Sequence, residues 1–281
     1  MLRHMNDLRG FAVLATDGEI GDIEEFYFDD ERWAVRYIVV NNGTWLSGRQ
    51  ALISPFSVTQ IDRDNRKLHL QLTQAQLEKS PNIDTHKPIS RRVEAAHSDY
   101  YGYPYYWGSP FLWGAEERPV LASKRSATAR YTATARPTAK AVTANGHSPT
   151  PGTATGRCDV SEEVHLRNTQ EVATYHIAAT DGEIGHVEDF ILEDDSWAIR
   201  YLEIETCNWL SGKNVIVSPQ WISSIAWALG KVHINLSREG VERSPEYDSS
   251  KPISRGYETQ LYRHYDQAGY WQNFDHMDKV E

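Results

Sequence analysis

The segment Lys67 to Leu72 alternates strictly, with Leu68, Leu70 and Leu72 pointing one way and Lys67, His69 and Gln71 the other, which is the period of a half-buried β-strand. The same alternation stands at Val232, Ile234 and Leu236 against Lys231, His233 and Asn235, so His69 and His233 are assigned to the solvent face. Upstream, Phe11 to Ala15 predicts a strand, Asp17-Gly18 a tight turn and Glu19 to Phe28 the returning strand. In that return Ile23 and Phe26 cannot share a face under strict alternation, whereas Phe26 and Phe28 can. Glu24-Glu25, with Glu188-Asp189 as counterpart, therefore predicts a β-bulge, read as solvated. Trp33 to Val40 is rich in β-formers on both faces and predicts a central strand, with Trp33, Val35 and Tyr37 on one side. Trp45 to Gly48 predicts a hairpin tip, and Ala51–Ile53 and Ser57 to Asp62 further strands. Thr73 to Pro81 has a threonine cap and a proline stop and predicts one short helix, as does Ser237 to Pro245. The tails beyond, through Pro88 and Pro252, are expected to be extended.

These patterns come in pairs because the chain repeats itself. Thr16 to Trp107 recurs without insertion or deletion as Thr180 to Trp271, an offset of 164 positions. TDGEIG opens both copies, Trp33, Arg36 and Tyr37 return as Trp197, Arg200 and Tyr201, and Lys87 to Arg91 returns as Lys251 to Arg255. A period this long exceeds that of a solenoid unit, so each copy is expected to bury its own core. Three segments follow: a first domain at 1–114, a linker at 115–165 and a second domain at 166–281. In the second copy Glu203 stands where the first has Val39, so that end of the strand must reach solvent or supply a partner for the carboxylate.

Charge divides along the same lines. Residues 1–117 carry 12 basic and 17 acidic side chains, residues 118–157 carry 7 and none, and residues 158–281 carry 10 and 22. The acidic domains would repel a phosphate backbone, which argues against nucleic-acid binding through them. The linker, dominated by Ala, Thr, Ser and Pro, is too poor in large apolar residues to fold alone and is read as a basic tether spanning roughly 35 Å. Cys158 and Cys207 occupy non-equivalent positions, so no repeated disulfide or metal clamp can be made from them. The start lacks a signal-peptide pattern and no stretch reaches membrane-spanning length, so a cytoplasmic protein, at most peripheral to the inner membrane, is expected.

The search for chemistry finds no nucleophile motif, phosphate loop, dinucleotide fingerprint or zinc-protease motif. His69 and His233 each have a lysine two residues away, and His264, Asp275 and His276 show no ligand spacing. Asp29 to Glu31 and Glu193 to Asp195 fall at turns, where acids are ordinary. No enzyme activity, cofactor or metal is therefore expected. The aromatic run from Tyr100 to Trp113 is the one feature a small β-domain leaves over. Tyr101, Tyr106 and Trp107 recur in the second copy and are expected to dock the tail. Tyr103, Tyr105, Phe111 and Trp113 do not recur and are the candidate partner-binding residues.

The run from Gly10 to Phe26 containing TDGEIG, followed by the Trp33–Val40 strand and the Ile53-Ser54-Pro55 stop, resembles the PRC-barrel domain, the family that includes the cytoplasmic domain of the photosynthetic reaction-centre H subunit and the barrel of a ribosome-maturation factor. The resemblance covers about residues 8–80 and 172–244. It implies an all-β chain of two small, highly bent antiparallel barrels in tandem, used as adaptors, with no family-wide catalytic residues to carry over. The leading expectation is a non-enzymatic scaffold whose barrels pair within the chain and hold an unidentified protein at the face of a membrane complex. Two alternatives stand beside it: a reaction-centre H-like accessory protein in which acids around Asp22 and Glu24 assist proton delivery, and a glycan-binding protein or enzyme using the aromatic segment.

Overall fold

The computed structural model describes residues 1–41, 50–81, 88–121, 164–206 and 214–273. Both expected hairpin tips, most of the linker, both cysteines and Asp275 and His276 lie outside the described residues. The first half contains β1 (Leu2–His4), α1 (Met5–Leu8), β2 (Ala12–Ala15), β3 (Gly18–Asp29), β4 (Ala34–Asn41), β5 (Ala51–Ile53), β6 (Val58–Asp62), β7 (Lys67–Leu70), α2 (Gln74–Glu78) and α3 (Arg91–Tyr101). The second half repeats the order: β8 (Leu166–Asn168), α4 (Thr169–Val172), β9 (His176–Ala179), β10 (Gly182–Glu193), β11 (Ile199–Glu205), β12 (Asn214–Val217), β13 (Ile222–Ala226), β14 (Lys231–Ile234), α5 (Arg238–Glu242) and α6 (Arg255–His264). Equivalent elements again lie 164 positions apart, and the repeat now reaches back to Leu2 and Leu166.

Among the described residues the strands form two sheets of seven. In the first, β5, β4, β3, β2, β7 and β6 lie side by side in that order; in the second, β12, β11, β10, β9, β14 and β13 do the same. One ladder in each departs from the expected antiparallel pairing, because β2 runs parallel to β7 and β9 parallel to β14. Among the described residues no ladder joins the two ends of either path. The second glycine of TDGEIG has a steric reason: a Cβ on Gly185 would stand 1.9 Å from the carbonyl oxygen of Glu205 on β11.

Each sheet takes its seventh strand from the other half. β3 is 12 residues long while β2 is only 4, so the edge of β3 beyond Phe26 is left without a partner from its own half. β8 covers it, pairing Asn168 with Tyr27, Arg167 with Phe28 and Leu166 with Asp29. Reciprocally, β1 pairs with β10, His4 opposite Ile191 and Leu2 opposite Glu193. Two open strand edges are covered by one exchange. Between the halves Ala34 bridges its own counterpart Ala198, flanked by Val35 N–H donating to Trp197 O at 2.8 Å and Ile199 N–H donating to Trp33 O at 2.7 Å. A residue facing its own repeat marks a local two-fold axis, the geometry of an isologous contact. One continuous apolar cluster runs across it, with the Phe28 and Phe190 rings 5.7 Å apart.

Both bulges stand where the alternation broke, with register shifts between Ile23 and Glu25 and between Val187 and Asp189. The expectation that both bulges are solvated is corrected at Glu25 and Asp189, which are buried because the exchanged strands lie over them. Trp33 is half-buried and Trp197 buried, and both hold a positive φ just before their strands. The expected shared face of Trp33, Val35 and Tyr37 is split. Val35 joins the main core and Tyr37 a smaller cluster with Tyr27, Val39 and Leu52, because the ladder shifts register between Tyr27 and Phe28.

The short helix α2 forms with Thr73 and Gln76 in a reciprocal capping box, a device contributing about 1 kcal/mol. The tails beyond it correct the sequence reading, since α3 and α6 replace the expected extended chain. Their packing faces explain why they were missed. The side chains α3 buries are Arg91, Glu94, His97 and Ser98, spaced as a helix face but with no apolar stripe to betray it.

Candidate functional site

The four aromatic residues singled out after α3 divide sharply. Tyr103 is buried, stacked on Phe56 at 5.2 Å and on Tyr101 at 5.3 Å. Trp113 is 2% exposed, meets the edge of Phe56 at 5.1 Å and donates its indole N–H to the carbonyl of Ser196 at 2.7 Å, tying the first half's tail to the second half. Phe111 is half-buried, and its carbonyl accepts from Arg32 at 2.9 Å. Tyr105 alone is open to solvent, 42% exposed, stacked on Trp107 at 4.6 Å and donating to Asp99 at 2.7 Å. The expectation that all four face outward is therefore corrected for Tyr103 and Trp113. The Trp113 ring is part of the lid over Arg36.

Arg36 is buried with Asp29, its guanidinium 2.8 Å from the carboxylate. It donates to Leu112 O at 2.7 Å and lies 3.6 Å above the Tyr106 ring and 4.7 Å from that of Trp113. The other oxygen of Asp29 accepts from the backbone N–H of Glu31 at 2.9 Å, closing the turn before β4. Asp29 is thus a turn acid and the partner of a buried cation at once.

A second polar network repeats in both halves. Glu94 on α3 accepts from Arg91 at 3.1 Å and from the Tyr106 hydroxyl at 2.5 Å. Its counterpart Glu258 on α6 accepts from Tyr201 at 2.8 Å and Tyr270 at 2.9 Å, with Arg255 at 2.9 Å. Sequence reasoning passed over these acids, although Arg91 and Arg255 end the repeated KPISR segment and each glutamate follows three residues on. Burial pushes the Glu94 carboxyl up to about 7, against the opposing pull of Arg91. Its folded-state pKa lies above the unfolded value, so its contribution to stability is whole below about pH 4.5 and is lost as pH rises through about 7. The unfolding free energy of the wild type, from urea denaturation, should fall by up to about 3 kcal/mol relative to Glu94→Gln between pH 5 and 8, and parallel pH profiles would refute this.

The third cluster lies where β1 crosses onto the second sheet. His4 Nδ1 is 3.2 Å from Asp189 Oδ2 and 3.1 Å from Glu203 Oε2, and Nε2 is 2.7 Å from the Tyr247 hydroxyl. Asp189 also accepts from the backbone N–H of Phe190 at 2.8 Å, and Glu203 from the side-chain amide of Asn214 at 2.7 Å. Glu203 is 3% exposed, so of the two outcomes open to that strand the chain takes the partnered one. Hydrogen bonds to Asp189 and Glu203 raise His4 to about 10, and burial raises the Asp189 carboxyl against the hydrogen bond from His4. The equivalent place in the first sheet holds Asn168 donating to Glu25, with Val39 where Glu203 would be. Sequence could not find this cluster, because no spacing links position 4 to positions 189 and 203.

Between the halves opens a cleft of about 610 Å³ whose walls include Asp30, Arg32, Trp33, Arg200, Ile225 and Trp227. A groove of about 370 Å³ lies beside α2 and α3, lined by Gln76, Tyr100, Tyr101 and Leu121. His69 and His233, half-buried on the outer faces of β7 and β14, belong to neither. No helix among the described residues is long and apolar enough to cross a membrane.

No curated protein matches this chain. Residues 3–77, from within β1 into α2, match the family model of the PRC-barrel domain, and the first half of the chain therefore carries a PRC-barrel domain.

Proposed function

We propose that this chain is a non-enzymatic adaptor in which two PRC-type barrels, the second built on the repeat of the first, work as one paired unit that holds another protein. The observation that carries the reading is the PRC-barrel match in the first half, a domain that serves as an interaction module, together with the same strand order in the second half. The exchange of β1 and β8 supports a paired unit, since neither half covers its own long strand. The partner surface is assigned to the exposed rings of Tyr100, which lines the groove beside α3, and of Tyr105, which bonds Asp99 at the end of α3; both offer large contact area with polar tips. The attachment to a membrane complex, where there is one, is peripheral.

The test is capture of partners by the full chain from extracts of its own cells, followed by mass spectrometry, in parallel with Tyr100→Ala/Tyr105→Ala. The double variant should lose the specifically captured protein while its thermal midpoint stays within a few degrees, because surface truncations usually alter stability little. Capture undiminished in the double variant would remove the aromatic surface from the reading. Turnover of a substrate by the purified chain would remove the adaptor itself.

A further inference from the structure

We propose that His4, Asp189 and Glu203 form a binding site for one first-row transition-metal dication, with Zn²⁺ as the ion to test. The ligand types suit it: one imidazole nitrogen and two carboxylate oxygens, with water to complete a four-coordinate shell. The spacing suits it as well. Tetrahedral ligands at about 2.0–2.2 Å from zinc stand roughly 3.3–3.5 Å from one another, and Nδ1 lies 3.2 Å from Oδ2 and 3.1 Å from Oε2. All three ligand atoms fall within 4.8 Å of each other.

The surroundings are those of a built site. A metal-bound histidine normally donates its other ring N–H to an oxygen that orients the ring, and the Tyr247 hydroxyl occupies that position on Nε2 at 2.7 Å. The outer oxygens of both carboxylates are engaged elsewhere, Asp189 Oδ1 by Phe190 N–H and Glu203 Oε1 by Asn214, while Oδ2, which the Asn6 N–H also reaches at 3.3 Å, and Oε2 face the imidazole. With a neutral imidazole the set carries two negative charges in a place nearly closed to water, the complement of a dication. The other occupant such a gap accepts is a proton on His4 bridging the two acids. A second His and carboxylate group, His186, Glu188 and Glu205, lies on the surface with both acids exposed.

The site is missing from the sister half, where Asn168, Glu25 and Val39 stand in its place. It also crosses the seam, His4 coming from the first half and both acids from the second. A bound ion would therefore pin the exchanged strand β1 to β10 and β11, giving the paired unit a metal-dependent clasp on one side only.

The test uses the tag-free full chain, stripped with EDTA and desalted, titrated with ZnCl₂ in a calorimeter and followed by thermal unfolding. One ion per chain and a raised thermal midpoint are expected, while Mg²⁺ and Ca²⁺, which prefer all-oxygen shells, should not compete. His4→Asn and Glu203→Val install the residues of the sister half, an arrangement this chain already folds around. Each should keep the wild-type circular dichroism and weaken zinc binding by at least the roughly 10–100-fold seen when an outer-shell partner is lost. His186→Ala and Cys158→Ser/Cys207→Ser should bind as the wild type does. Well under one ion per chain, equal binding by His4→Asn and Glu203→Val, or competition by Mg²⁺ or Ca²⁺ would overturn the assignment. So would loss of binding in His186→Ala or in the cysteine variant.

Discussion

Trp113→Ala is expected to cost about 3–5 kcal/mol of stability, the range for emptying a buried aromatic site, while Tyr105→Ala, eight residues earlier in the same segment, should cost almost nothing. Trp113 is 2% exposed and packs against Phe56 and Arg36, whereas Tyr105 is 42% exposed. The tryptophan also carries the indole hydrogen bond to Ser196 across to the second half, so its loss should expose the seam before the rest of the fold. Urea denaturation gives the two midpoints, and amide exchange around β4 and the Ser196 turn reports the seam. Equal midpoints for the two variants would show that the segment is not docked as described.

Arg36→Met is the second large effect. It leaves the Asp29 carboxylate buried without its cation, a change that costs about 3–5 kcal/mol when one partner of a buried pair is removed. Asp29 keeps its backbone contacts to the turn, and the Tyr106 and Trp113 rings lose the guanidinium on which they rest. Arg36→Met/Asp29→Asn should recover part of the loss, because the stranded charge goes with its partner. The equivalent Arg200→Met should cost less, since Arg200 and Glu193 are both half-buried and water can take over. A double variant no more stable than the single one would place the energy in the packing of the arginine rather than in the ion pair.

Local pattern carried the strand assignments because it needs only neighbouring residues. Leu68, Leu70 and Leu72 against Lys67, His69 and Gln71 define a half-buried strand wherever it sits, and the break at Glu24-Glu25 locates a bulge before any partner strand is known. TDGEIG followed by the bulged strand, the Trp33–Val40 strand and the Ile53-Ser54-Pro55 stop, and repeated intact, pointed to the family whose model covers residues 3–77. α3 escaped because its buried face is Arg91, Glu94, His97 and Ser98, a polar face with no hydrophobic period, and α6 because it buries only Leu261 and Tyr262 beside Glu258, too few apolar positions to set a period.

What lay beyond the sequence was everything decided by position across the seam. Residues 2–4 are too short and too ordinary to read as a strand, and they become one only because β10 leaves an edge that its own half cannot cover. Burial of Glu25 and Asp189 follows from that exchange, as does the meeting of His4 with Glu203, since groups about 190 positions apart in the chain acquire a common environment only when the sheets are assembled. The same holds for the aromatic segment. Its sequence shows rings absent from the second copy, but which of them face water depends on where Arg36 needs a lid and where Ser196 offers a carbonyl. Periodicity reports which side of an element is apolar; which side meets another element, and what a buried charge finds there, is set by long-range packing.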